Sequence, residues 1–166
     1  MQTAGGRTQN AAHWWGDVAE TLAYCTNTLR FLCQRYGADT NAIILTGFSR
    51  GAIACNYIGL HNDAIASVWR AFIPYSHYDG VITNWPYAAA GRSAALARLA
   101  RLKGRPQCIC QEGSTRATKD YLDGTGVTAP FTFVDVPFRN HSDQWSLCDS
   151  PARRAVRGWL QSLGLP

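Results

Sequence analysis

The chain has 166 residues, 46% of them hydrophobic, 11% aromatic and 16% charged, with a mean hydropathy of −0.18. This excludes a disordered chain and is enough for one domain with a sizeable core, and no apolar run approaches the roughly 18 residues of a membrane span. Its formal net charge of +5 gathers at residues 92–105 and 153–157 without interleaved stacking aromatics, which argues against nucleic acid as a partner.

Val18, Leu22, Cys25, Leu29, Leu32 and Tyr36 recur at steps of three and four, the spacing of one helix face, and Gly37 and Asp39 stop it. Ala42–Thr46 then predicts a short strand buried on both faces, as in a parallel sheet covered by helices. After Gly47-Phe48-Ser49-Arg50-Gly51 comes a small-residue helix to about Leu60, then a second strand over Val68–Tyr75. Ser93–Lys103 reads as a helix with Leu96, Leu99 and Leu102 inside and Arg98 and Arg101 on its solvated side. Gln107–Gln111 is a third strand, Thr118–Leu122 a short helix and Phe131–Val136 a fourth strand. Pro151 opens a last helix containing Val156, Trp159 and Leu160. Strands alternating with helices, without repeat or linker, predict a single α/β domain over 1–166: a mostly parallel sheet of about four strands flanked by helices.

The six cysteines do not form a zinc or disulfide pattern. Cys25 and Cys33 lie two helical turns apart, roughly 12 Å, too far to bridge. Cys108 and Cys110 occupy alternate positions of one strand, so small buried thiols are the expectation. No three-ligand cluster has zinc-like spacing, and neither a metal nor an organic cofactor is expected. Met1–Gly6 has no basic region followed by an apolar one, so no secretory signal is visible and the cytoplasm is the default compartment.

Gly47–Gly51 matches G-x-S-x-G, a weak pattern alone but placed here between a buried strand and a helix. A tight strand-to-helix turn lifts the Ser49 hydroxyl above the sheet, and glycines two positions to either side remove side chains that would clash. A serine hydroxyl is unreactive at its own pKa and needs a base. His141, in the loop between the fourth strand and the last helix, is placed to swing back over Ser49. His13, His61 and His77 compete poorly by position.

On the elbow Gly47–Gly51, the His141 loop and the order serine, acid, histidine, the chain resembles the α/β-hydrolase family over nearly its whole length. The resemblance implies a serine esterase acting on a small-molecule ester through an acyl-enzyme, with Ser49 as nucleophile, His141 as base and a carboxylate orienting the imidazole. It also implies the backbone N–H of Arg50 as one oxyanion donor. The Arg50 side chain reads equally as a surface ion-pair partner and, by similarity to carbohydrate-directed esterases such as the glucuronoyl esterases, as a substrate contact.

In that family the acid usually follows the proline opening the third strand by about nine residues, which here falls on Thr115. Two carboxylates therefore stay open. Asp79, after the second strand, ranks first because Gly80 permits a turn that aims a short carboxylate inward; Glu112, at the end of the third strand, ranks second. Asp120 and Asp123 read as exposed helix positions, and Asp143 is too close in sequence to His141.

The family's early strands normally precede the first helix, where this chain has few residues, so the expected sheet is a truncated α/β-hydrolase-like one. The usual source of the second oxyanion donor is missing, and Gly5-Gly6 is a candidate replacement. The first strand would also lack a neighbour, a liability that a homodimer, or Thr3–Ala12 folded across it, would relieve. A serine peptidase or acyltransferase on the same fold, and a non-catalytic hydrolase-like binding domain, are the rival readings.

Overall fold

A computed structural model describes residues 2–4 and 7–9 as backbone and residues 13–165 in full. Gln2–Ala4 (β1) and Arg7–Gln9 (β2) form an antiparallel pair. Helix α1 (Val18–Tyr36) begins where the Asp17 side chain accepts from the Glu20 N–H and ends at Gly37, whose left-handed φ of +66° glycine adopts without strain. There follow β3 (Ile44–Phe48), α2 (Arg50–Tyr57), α3 (Asp63–Ala66), β4 (Ala71–Tyr75) and α4 (Arg92–Leu99), which tightens into a 3-10 turn to Leu102. Strand β5 (Gln107–Glu112), α5 (Arg116–Asp123), β6 (Phe131–Val136) and α6 (Pro151–Ser162) complete the chain. Ser150 caps α6, its hydroxyl accepting from the Arg153 N–H, and Pro151 occupies the first turn, where no N–H is needed.

Strands β3-β4-β5-β6 lie in that order and are all parallel, so the protein has an α/β fold as its pattern predicts. Both faces of the sheet are covered. Phe72 and Ile109 join Leu60, Trp69, Leu99 and Leu102 on one side, while Ala71, Cys108 and Cys110 meet Trp145 and Trp159 on the other. Alternate residues of one strand thus serve opposite cores, which is why β4 reads as a continuous apolar run. Because the strands are parallel, the segments after Phe48, Tyr75, Glu112 and Val136 all emerge at one edge, where open α/β sheets bind ligands.

Four expectations need correction. Strand β3 runs from Ile44 to Phe48, two residues later than predicted, and is not buried on both faces: Thr46 is exposed and its neighbours are half-buried. The reason is that β3 is the edge strand, paired with β4 alone among the described residues. The described part of Thr3–Ala12 belongs to the β1–β2 pair rather than to this sheet; Gly5 and Gly6 lie outside the described residues. Leu22, Cys25 and Leu29 of α1 pack on the core, but Phe31, Leu32 and Tyr36 are exposed. Between α1 and β3 runs a groove of about 320 Å³ bordered by Tyr24, Leu45, Ile58 and Trp69.

The third correction concerns Arg98, which is buried rather than solvated, with consequences for the site. The fourth concerns the thiols. All six cysteines are free; Cys55, Cys108 and Cys110 are buried as expected, but Cys148 is exposed. Burial pushes the Cys55 thiol up to about 12, so it remains protonated and unreactive.

Candidate active site

Ser49 sits between β3 and α2 with φ +56° and ψ −126°, a backbone conformation strained for a residue with a side chain. Its N–H is held by the Tyr75 carbonyl of the neighbouring strand at 3.0 Å. A Cβ on Gly47 would lie 2.1 Å from the Gly51 carbonyl oxygen, so glycine is obligatory there. A Cβ on Gly51 would meet nothing within 4 Å, so steric clash in the turn explains only the first glycine of the motif.

The loop after β6 returns His141 to this turn. Its Nε2 is 3.0 Å from Ser49 Oγ, and its Nδ1 is 3.0 Å from Glu112 Oε1. A carboxylate only accepts, so Nδ1 carries the hydrogen and the bare Nε2 accepts from the Ser49 hydroxyl. The imidazole is half-exposed at 55%, while Glu112 is largely shielded at 12%. Tyr75 donates its hydroxyl to the Ser142 carbonyl at 2.9 Å and ties the histidine loop to β4. Burial, helped by the charge of Glu112, pushes the Tyr75 phenol up, so it stays protonated and able to donate. Phe48 packs on one side of the imidazole, its ring centre 4.9 Å away.

Asp79, the first choice from sequence, is not brought to His141. It is 3% exposed, and both its oxygens are occupied by Arg98: Nε donates to Oδ2 at 2.7 Å and Nη2 to Oδ1 at 2.9 Å. Arg98 also donates to the Ala89 carbonyl and lies over the Tyr57 ring. Gly80 does permit the inward turn, since a Cβ there would strike the Tyr121 hydroxyl at 2.5 Å, but the turn delivers Asp79 to Arg98. Burial pushes the Asp79 carboxyl up against the pull of that guanidinium. At the usual acid position, Thr115 donates its N–H and hydroxyl to Asp135 Oδ1, both at 2.7 Å, binding the start of α5 to β6.

Sequence reasoning missed Ser76. It is buried, has φ +88°, and its Oγ is 3.2 Å from His141 Nδ1, sharing that nitrogen with Glu112. Like Ser49 it directly follows a strand of the parallel sheet, which is the signal that would have found it. His77 was set aside by position, yet its ring centre is 5.8 Å from that of His141. Burial, then the charge of His141, holds His77 below the ordinary histidine value.

A groove of about 430 Å³ opens beside Ser49, bordered by His13, Trp14, Trp15, Phe48 and Arg50. The Trp14 indole N–H donates to the Arg50 carbonyl at 3.1 Å, pinning the segment before α1 to the elbow. The N–H of Arg50 belongs to the first turn of α2, where backbone donors have no intrahelical acceptor. No group of three or more His, Cys, Asp or Glu side chains suited to a metal ion occurs among the described residues. Nor is any helix among them long and apolar enough to cross a membrane. Comparison with protein-family models and with curated protein sequences finds no match to either.

Proposed function

We propose that this protein is a serine-dependent carboxylic ester hydrolase of α/β-hydrolase type, using Ser49, His141 and Glu112. The observation that carries the reading is the unbroken chain Glu112 Oε1···Nδ1–His141–Nε2···Oγ–Ser49, with both contacts at 3.0 Å, on a strained strand-to-helix turn. In this mechanism Ser49 Oγ attacks the ester carbonyl while its proton passes to His141 Nε2. Glu112 holds the imidazole with Nδ1 protonated and stabilises the imidazolium that forms. The Arg50 N–H, aimed from the first turn of α2, donates to the developing oxyanion. His141 then returns the proton to the departing alcohol and activates water against the acyl-enzyme. Exposure of the imidazole favours water as acyl acceptor, and therefore hydrolysis over acyl transfer.

The edge of β3, unpaired among the described residues, supports a second, separate reading: a homodimer that covers it. Light scattering checks this, and a monomer would exclude it without touching the chemistry.

A panel of carboxylic esters assayed with the wild type and Ser49→Ala tests the function. Ester turnover is expected in the wild type, with a loss on the order of 10⁵ or more in Ser49→Ala. Retention of a tenth of the rate by that variant would remove Ser49 as nucleophile.

A further inference from the structure

The groove beside Ser49 is bordered by the cation of Arg50. The Arg50 guanidinium lies 5.1 Å from the Trp15 ring centre and 6.0 Å from that of Trp85. It is exposed and forms no ion pair with any carboxylate among the described residues. The sequence offered a surface ion-pair partner as one role for this side chain, and the structure gives it indoles instead. Stacking on π faces uses the flat sides of the guanidinium and leaves the N–H groups in its plane free to donate. Indoles also restrain its rotamers without neutralising its charge.

The described residues bordering the groove include no carboxylate. The His77 ring contacts Trp85 in a tilted arrangement, centres 5.2 Å apart, and its centre is 5.8 Å from that of His141. Arg50 and Glu112 both act on His77, in opposite senses, so the groove adjoins the carboxylate of the candidate triad. That carboxylate is engaged with His141 and does not pair with Arg50.

Resting on the esterase reading, we propose that Arg50 is a specificity-determining residue that selects esters carrying an anionic group, a carboxylate or a phosphate, on the portion that occupies this groove. Apolar parts of such a substrate lie on Trp15 and Phe48, and its anion takes paired N–H donors from Arg50.

The test compares kcat/KM for 4-nitrophenyl hexanoate with that for the mono-4-nitrophenyl ester of adipic acid, which matches it in chain length and adds a terminal carboxylate. A second pair, phenyl butyrate and 4-butyryloxybenzoate, places the anion on the alcohol side. The wild type is expected to prefer the anionic member of at least one pair. Arg50→Gln should lower that preference on the order of tenfold, chiefly through KM, with partial recovery in Arg50→Lys. Raising the salt from about 0.05 to about 0.5 M should erode the wild-type preference without any substitution, which decides the matter if Arg50→Gln fails to fold. Ester turnover with no anionic preference in either pair, or with one that neither salt nor Arg50→Gln changes, would overturn the inference and leave the esterase standing. A folded wild type that turns over none of the four esters would overturn both.

Discussion

Two carboxylates follow successive strands at the same edge of the sheet, and the protein uses them in opposite ways. Glu112 stands at the end of β5 against a half-exposed imidazole, a partner that gains and loses a proton. Asp79 stands beyond β4 against a buried guanidinium, a partner that is always charged. The first arrangement can take part in a reaction cycle. The second joins the segment after β4 to α4 and closes the core beneath the site. Position along the chain brought both acids to the right edge; the partner and its burial decided which one serves the imidazole.

The sharpest way to break this comparison is to neutralise each acid in turn. Glu112→Gln removes the charge that fixes the His141 tautomer, and kcat should fall on the order of 10⁴ with the thermal midpoint nearly unchanged. Steady-state rates beside melting curves would show it, and a variant within threefold of wild type would dismiss Glu112 from the triad. Asp79→Asn should do the reverse. Leaving Arg98 buried without its partner is expected to remove about 3–5 kcal/mol of stability. The molecules still folded should hydrolyse ester at a near-normal rate per active site. Loss of activity without loss of stability in Asp79→Asn would invert the two roles.

A smaller effect concerns pH. Folding lowers the His77 pKa, so between its depressed folded value and the ordinary value near 6.5 the unfolded chain binds more protons than the folded one. Stability from this group is therefore present above about 6.5 and lost as the pH falls through that window. Melting curves across the window should show a shallower decline in His77→Gln than in wild type. An unchanged slope would mean that His77 charges freely in the folded protein.

Much of this was legible in the sequence, and the errors are connected. Phe131–Val136 and the Pro151 helix start were read to the residue, because β-branched and aromatic runs and an N-terminal proline are local signals. The meeting of Ser49 and His141 was legible because a parallel α/β sheet sends every strand end to one edge. The carboxylate that lies against the imidazole was not, and the cause lies in α4. Helical periodicity put Arg98 on the solvated side opposite Leu96, Leu99 and Leu102, and a solvated arginine leaves Asp79 free to act. Burial of Arg98 against Tyr57 and Asp79 depends on the segment 76–91 folding over α4, a tertiary contact with no periodic trace. The exposure of β3 and of Phe31 and Tyr36 was likewise invisible locally, since an apolar strand reads alike at an edge and at the centre of a sheet.

The central claim is that Ser49 is a nucleophile activated by His141. It is tested most directly by treating the folded protein with a fluorophosphonate and mapping the adduct by peptide mass spectrometry. The expected result is a single covalent adduct on Ser49 in the wild type, formed far more slowly in His141→Ala. An unlabelled wild type, or an adduct on any other residue, would contradict the account.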